Sequence, residues 1–371
     1  MNRSIAKRSL LAMTLAWFSV SPALAEENTS PLSAELSYLA ESVRNYSGGL
    51  QKGTKNQATG TAGISIDVEK AVGWPGASAY VEFIVNHGRE PNSTLLGDAQ
   101  GASNIADGNR NRLQQAWFQQ NLMDDAISLL VGTHDLNSEF YVSEYGGFFT
   151  NSSFGIGPEI SGNAGTSLWP EAGLAARVAL QFNEQISLRV AGYDGDPATR
   201  ALDGGVEGYM YIAELAYVDG DAAYKVGGWK HTKAATANAG QGLSGGYLIV
   251  DQPVMDWDGG NLGAFLQVGV AQRAATDFKN YIGVGVHVAG LIPGRADDEF
   301  GIAMARADFS DAYLTANAGF TKNETVFEMS YRAQVTDWLA IQPALQFIKS
   351  PSGNTALKDA KVSLLRVEIS M

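Results

Sequence analysis

Cysteine is absent from the 371-residue chain. Without thiols the protein has no disulfide framework, no thiolate metal site and no cysteine nucleophile. Charged residues are also sparse at 18%, whereas Gly, with 42 residues, and the aromatic residues, at 10%, are well represented. A composition of this kind favours strands and turns over long soluble helices.

Long apolar runs are missing as well. The stretch Leu10–Val20 is well short of the roughly 20 residues that a membrane-spanning helix requires. Basic residues precede it and the A-x-A sequence Ala23–Ala25 follows it, as in a secretory signal. We therefore expect residues 1–25 to be a cleaved signal peptide. Membrane insertion of the mature chain would then have to use β-strands in a closed barrel.

Positive charge is in short supply. The chain has 26 Lys and Arg residues against 39 Asp and Glu residues, a formal net charge of −13, and loss of the signal would remove only basic residues. Nucleic acid binding depends on basic surface, so nucleic acid is not expected as a partner. An acidic surface suits either outer loops bridged by divalent cations or simple solubility, and both interpretations stay open.

Short segments in which apolar and polar residues alternate recur through the chain, separated by Gly, Asn, Asp and Pro. Ile64–Glu69 and Ile186–Val190 are clear examples. We count about sixteen such segments, with lengths close to those of tilted membrane strands. They predict an all-β fold, a transmembrane antiparallel β-barrel over residues 45–371.

The residues between the predicted signal and the barrel have a different pattern. Within residues 26–44, Leu32, Leu36, Leu39 and Val43 recur at helical spacing. This pattern predicts a periplasmic N-terminal segment that contains a short helix.

The lengths of the connections give a second signal, because outer-membrane barrels have short periplasmic turns and longer outer loops. Asn183-Glu184 and Thr336-Asp337 fit short turns, although residues 251–261 and 289–298 are longer than this rule prefers. The longest connection, residues 134–172, falls on the outer side. A loop of that length is usually functional, and we expect it to fold inward and narrow the lumen. A loop that stands outside the barrel is the alternative.

Six stretches of the mature chain, in order, carry a family resemblance. They are Gly73–Gly76, Gly97–Gln100, Asp135–Tyr145 (DLNSEFYVSEY), Asn151–Glu159 (NSSFGIGPE), Tyr193–Pro197 (YDGDP) and Gln342–Phe347 (QPALQF). Together they resemble the OprB-type carbohydrate-selective porin family. The resemblance implies a sixteen-strand barrel in the outer membrane of a Gram-negative bacterium. It also implies passive uptake of glucose and similar small sugars.

Alternation indicates which side chains face the lumen. A sugar presents hydroxyls and apolar ring faces, so a selective pore is expected to combine hydrogen-bonding groups with exposed aromatic rings and to bind weakly. The inward positions predict two arginines on neighbouring strands, an aromatic stacking surface, and glutamines and glutamates beside them. The eight candidate pore-lining, sugar-binding residues are Arg177, Arg189, Trp117, Gln119, Gln181, Glu82, Glu214 and Glu328. For each of them the simpler interpretation is a charge or amide that solvates a water-filled pore.

Motifs for other chemistry are weak. Residues 240–245 fit G-x-G-x-x-G and residues 242–246 fit G-x-S-x-G, but strand-like sequence follows where both motifs need a helix. The four histidines lack H-E-x-x-H spacing. The predicted protein is therefore not an enzyme and uses no metal or cofactor.

Three other functions compete with a sugar-selective channel. A general diffusion porin shares every barrel feature and lacks only a saturable sugar site. An outer-membrane barrel enzyme and a secreted β-sandwich are the others. The expected partners are small sugars, the lipid bilayer and lipopolysaccharide, and the expected oligomeric state is a monomer or a trimer.

Overall fold

The computed structural model describes residues 30–200, 202, 204–233, 242–272 and 277–371. The predicted signal peptide lies outside them. The strands are β1 Leu32–Ser47, β2 Gly53–Asp67, β3 Ala77–Gly88, β4 Arg110–Leu122, β5 Ile127–His134, β6 Gly173–Gln181, β7 Ile186–Asp194, β8 Tyr209–Asp219, β9 Ala222–His231, β10 Leu243–Trp257, β11 Gly260–Ala271, β12 Phe278–Ala289, β13 Glu299–Phe309, β14 Asn323–Thr336, β15 Leu339–Lys349 and β16 Ala360–Ser370. The α-helices are α1 Val68–Val72, α2 Pro158–Ala164 and α3 Asp311–Ala316.

Every strand pairs antiparallel with its neighbours in the chain, and β1 pairs with β16 to close the sheet into a barrel. The predicted sixteen-strand antiparallel barrel is therefore confirmed. A closed sheet leaves no strand edge with unpaired backbone groups, which a lipid environment does not tolerate. None of the helices in the described ranges is long and apolar enough to cross a membrane.

The helix predicted before the barrel is wrong. Residues 32–47 are strand β1, so the barrel begins at Leu32 rather than at residue 45. Leu36 is 55% exposed on the outer face, whereas Leu39 and Val43 are buried on the inner face. Their spacing resembles a helix only because both faces of this strand carry apolar residues. Pairing with both β2 and β16 outweighs that local pattern, since β16 would otherwise be an open edge.

Most connections alternate in length as predicted, although the outer connection 48–52 is shorter than the periplasmic connection 68–76. Residues 220–221, 258–259 and 337–338 are two-residue turns at the predicted periplasmic end. The long connection predicted over 251–261 is wrong, because β10 continues to Trp257 and β11 starts at Gly260. Residues 290–298 remain a longer periplasmic connection. The opposite end of the barrel carries the loops.

Exposure also alternates along each strand, but apolar side chains are the exposed ones and polar side chains are the buried ones. In β8, Leu215 is 45% exposed on the outer surface, whereas the neighbouring Glu214 is 1% exposed on the inner side. In β12, Val284 and Val286 are exposed and Tyr281 is buried. Apolar side chains therefore cover the outside of the barrel, and polar groups lie inside it in contact with the loops.

Because the outer face is apolar, the cost of a charged substitution there in free energy of unfolding should depend on its position along the strand. Val284 lies near the middle of β12, and Val335 lies next to the periplasmic end of β14. We expect Val284→Arg to lower the free energy of unfolding by about 2–4 kcal/mol, and the matched control Val335→Arg by about 0–1 kcal/mol. Denaturant titration in lipid vesicles measures both. Equal effects would contradict a membrane-spanning outer face.

Candidate functional site

The longest loop crosses the interior of the barrel. Residues 135–172, here called L3, leave β5 and return to β6, yet they bond to inward side chains of Glu214 in β8, Asp251 in β10 and Glu328 in β14. None of these three strands is adjacent to β5 or β6 in the barrel. The space left for a solute is therefore the space that L3 does not occupy.

Three wall carboxylates hold the main chain of L3. Glu328 accepts hydrogen bonds from the backbone N–H groups of Thr150 at 2.8 Å and Asn151 at 3.0 Å. Asp251 accepts from the backbone N–H of Glu144 at 3.1 Å and from the hydroxyl of Ser143 at 2.6 Å. Carboxylate acceptors make stronger hydrogen bonds than neutral groups do, so few contacts suffice to fix the loop.

Glu214 supports L3 in the same manner. It accepts from the backbone N–H of Tyr141 at 3.0 Å and from the hydroxyl of Tyr247 at 2.8 Å. The candidate residues Glu214 and Glu328 thus point inward as their alternation predicts, and both carboxylates already accept hydrogen bonds from the protein itself.

The wall also supplies donors to loop carbonyls. Gln267 donates to Phe154 O at 2.8 Å, Gln342 donates to Phe148 O at 2.9 Å, and Lys225 donates to Val142 O at 2.6 Å. Buried backbone carbonyls need such partners, because an unsatisfied one costs about 1–3 kcal/mol. Donors and acceptors from opposite walls therefore hold L3 in one position.

Small inward residues make the space that L3 fills. A Cβ at Gly269 would lie 1.9 Å from the Glu159 carboxylate, and one at Gly263 would lie 2.1 Å from the Tyr145 ring. A Cβ at Gly301 would lie 2.7 Å from Phe149 and 2.8 Å from Phe148. Further inward positions of β13 are alanine: Ala303, Ala305 and Ala307. Strands β11 to β13 therefore form a seat that any larger side chain would obstruct.

A second loop also lies inward. In residues 89–109, here called L2, the backbone N–H groups of Ala99 and Gln100 donate to the Glu324 carboxylate at 2.8 and 3.0 Å. Ser103 lies beside Glu41 of β1, which accepts a 2.7 Å bond from Arg366 of β16. L2 is thus attached to the strand pair that closes the barrel.

Arg177 joins L3 to the wall on the other side of the lumen. Its guanidinium donates to Gln119 at 2.8 Å, to Glu139 of L3 at 2.7 Å and to the Ser128 hydroxyl at 2.8 Å. Its side chain is only 3% exposed. Arg177 therefore lies on the predicted inner face, and both terminal nitrogens of its guanidinium are engaged by the protein.

Arg189 and Trp117 are more accessible. The Arg189 side chain is 29% exposed, and its nearest carboxylate oxygen, on Glu214, is 3.9 Å away. The Trp117 ring lies 5.5 Å from that of Tyr80, whose hydroxyl lies 2.5 Å from a Glu35 carboxylate oxygen and 3.0 Å from one of Glu82. Because Arg189 pairs with Ala179 and Arg177 with Ala191, the two arginines are diagonal neighbours.

Gln181 stands apart from the other candidates. It is the last residue of β6, and its amide donates at 2.5 Å to the carbonyl of Asn183 in the exposed β6–β7 turn. The fold therefore places Gln181 at the periplasmic rim, away from the part of the lumen that L3 narrows.

Burial and charge act differently on two acids of L3. Glu159 is 0% exposed, and burial raises its pKa to about 7, against a lowering effect from the Tyr141 hydroxyl. Burial also acts to raise the pKa of Glu139, but His134 and the Arg177 guanidinium outweigh it and the pKa is lowered. The lowered pKa of Glu139 favours its carboxylate form beside Arg177, whereas the raised pKa of Glu159 favours its protonated form.

Sequence reasoning missed several residues that position L3. Asp251 and Lys225 lie at inward positions of β10 and β9. The sequence around a single charged residue on a strand does not indicate which distant residue it contacts. The run of inward small residues in β13, from Gly301 to Ala307, was a usable signal, because small side chains on a lumen face make room for something else.

A closed sixteen-stranded antiparallel barrel with an apolar outer face, a polar lumen and inward loops defines an outer-membrane porin. Residues 51–371 match the family described as "Carbohydrate-selective porin, OprB family". The chain belongs to this family. It is an outer-membrane channel of a Gram-negative bacterium for passive, carbohydrate-selective diffusion into the periplasm.

Two sequence relatives and one solved structure are similar to most of this chain. Porin B of Pseudomonas aeruginosa is 23% identical and aligns with 90% of this chain and 86% of its own length. The putative porin QuiX of Acinetobacter baylyi is 20% identical, over 90% of this chain and 88% of its own. The high-pH structure of Pseudomonas putida OprB superposes with a TM-score of 0.81 at 21% identity, covering 92% of this chain and 94% of that one.

The carboxylate anchors of L3 lead to a direct test. Replacing Glu328 by Ala removes the acceptor for two backbone N–H groups and the Thr150 hydroxyl. We expect larger fluctuations of single-channel current and higher mean conductance, because L3 loses an attachment worth about 1.5–3 kcal/mol per charged hydrogen bond. Glu184→Ala, in the exposed β6–β7 turn, is the control. Unchanged current in Glu328→Ala would show that this anchor does not hold the loop.

The glycine seat leads to a second test. Gly301→Leu places a large side chain where Phe148 and Phe149 pack, so L3 has to move away from β13. We expect an altered single-channel conductance with the barrel still folded and heat-modifiable on a gel. Gly228→Leu adds the same side chain at an exposed position of β9 and should conduct like the wild type. Identical conductance of all three proteins would contradict a seat at Gly301.

Proposed function

We propose that glucose and similar small sugars pass between L3 and the wall formed by β3 to β7. In this proposal Arg189, Trp117 and Gln119 contact the sugar. The observation that carries the proposal is the accessible guanidinium of Arg189 on the same side of the lumen as the Trp117–Tyr80 ring pair.

The chemistry of these groups suits a carbohydrate. A guanidinium presents several donors in a rigid plane, which matches neighbouring hydroxyl oxygens. An indole offers an apolar face for the C–H side of a sugar ring and costs little conformational entropy to hold in place. Weak contacts of both kinds slow a sugar without trapping it, as conduction requires.

The remaining candidates support the pathway in this proposal. Arg177 orients the Gln119 amide and fixes the edge of L3 through Glu139. Glu214 and Glu328 hold L3, and Glu82 orients the Tyr80 hydroxyl beside Trp117. Gln181 contacts solutes only as they leave at the periplasmic rim.

The general diffusion porin is the alternative within the same fold, and it predicts no saturable block by sugar. We propose further that the protein acts as a passive channel without catalysis. A monomer or a trimer serves equally in this scheme, because the barrel closes within one chain and encloses its own pathway.

The test is sugar block of ion current through the channel in planar bilayers. We expect Arg189→Ala to weaken glucose block by about threefold to tenfold, since a charged donor contributes roughly 1.5–3 kcal/mol net and less in a wet pore. Trp117→Leu should also weaken it, whereas small-ion conductance persists.

Arg44→Ala is the matched control, because Arg44 lies on the outer side of β1 over the Tyr46 ring. It should leave glucose block unchanged. A wild-type current that is insensitive to glucose would support the general porin instead. Saturable block that survives both lumen substitutions would mean that other residues bind the sugar.

A further inference from the structure

The periplasmic side of L3 carries two aromatic rings that the pathway above does not use. Tyr145 and Phe148, here called the aromatic shelf, are partly buried and lie against the seat in β11 to β13. The Tyr145 ring stacks with the His287 ring at 5.8 Å, and the Phe148 ring meets it edge-on at 4.9 Å. The shelf thus places aromatic surface beside an inward imidazole.

A row of hydrogen-bonded polar and charged side chains begins at that imidazole. His287 Nε2 lies 2.7 Å from a Glu299 carboxylate oxygen, and the other Glu299 oxygen lies 3.3 Å from Arg332. Arg332 Nε donates to Glu368 at 2.8 Å. This row of side chains therefore extends along the wall through β12, β13, β14 and β16.

The strand register places this row of side chains next to the aromatic shelf, on the periplasmic side of the shelf. His287 pairs with Gly301, the residue on which Phe148 packs, and Glu299 pairs with Arg332. Glu299 is the first residue of β13 after the periplasmic connection, one same-face step, about 7 Å, from Gly301. That separation is one that a single sugar ring can bridge.

His287 and Arg332 differ in how accessible their remaining nitrogens are. His287 is 9% exposed, and its Nδ1 is buried without a hydrogen-bond partner among the described residues. The Arg332 side chain is 20% exposed, and the bonds described for it use Nε and Nη1, so Nη2 is available. Nδ1 of His287 is enclosed, so Nη2 of Arg332 is the one of these two nitrogens that a passing sugar can reach.

We propose that the aromatic shelf, His287, Glu299 and Arg332 form a second sugar-binding subsite on the periplasmic side of L3. This inference rests on the proposed function, since it concerns the same passing sugar after it clears L3. The apolar face of the ring lies on the shelf, and hydroxyls bond to the Arg332 guanidinium and to Glu299. Two weak sites in series allow a sugar to leave the narrow region stepwise.

The variants preserve packing and charge while removing the recognition chemistry. Phe148→Leu keeps an apolar side chain on Gly301 but lacks a flat ring, and Arg332→Lys keeps the positive charge but lacks the guanidinium fork. Phe327→Leu and Arg306→Lys are the matched controls. Phe327 is 46% exposed on the outer face of β14, and Arg306 pairs with Asp308 on the outer side of β13. Heat-modifiable migration on a gel verifies that each barrel is folded.

The measurement is glucose-induced current noise in oriented channels, with glucose added to one side at a time. Both lumen variants should weaken block by periplasmic glucose about threefold to tenfold, as loss of an aromatic ring face or of a guanidinium hydrogen bond predicts. Block by glucose from the outer side should change less, and the controls should match the wild type.

Three results overturn parts of this scheme in distinguishable ways. Wild-type current without glucose block from either side removes the proposed function and this subsite together. Block that responds to Arg189→Ala but not to Phe148→Leu or Arg332→Lys removes the subsite alone. Equal weakening from both sides in Phe148→Leu and Arg332→Lys removes the periplasmic placement, because such an effect marks a general change in L3.

Discussion

Backbone hydrogen bonding in a medium without water is the constraint on which the structure depends. Strands in hydrocarbon must pair on both edges, so the chain has to close on itself, and β1 must meet β16. Closure turns the polar face of every strand toward one enclosed space. The same constraint explains why Leu32–Ser47 is a strand despite its helical spacing of leucines.

L3 then fills part of this enclosed polar space and leaves the rest open. Wall carboxylates at Glu214, Asp251 and Glu328 accept hydrogen bonds from L3, and inward glycines at positions 263, 269 and 301 leave room for its side chains. Loop and wall are therefore complementary in charge and in volume. What remains open is a channel with hydrogen-bonding and aromatic groups on its walls, and the family to which the chain belongs is one of carbohydrate-selective porins.

Prediction from sequence succeeded where the signal was periodic and local. Arg177 and Arg189 lie on the inner faces of neighbouring strands because alternation and the short β6–β7 turn determine both facts. It failed where the partner was distant in the chain. Nothing near Arg177 indicates that Glu139 and Gln119 occupy its guanidinium, and nothing near Glu328 indicates that it holds Thr150.

Sequence alone determined the class of fold, the number of strands and most strand positions, because side-chain alternation in a barrel is a property of each strand by itself. Its family motifs also indicated the transport function. Tertiary structure alone decided where the barrel starts and which inward groups remain accessible. Those outcomes depend on contacts between segments far apart in the chain, such as Glu41 with Arg366 and Asp251 with L3, and local propensity carries no information about them.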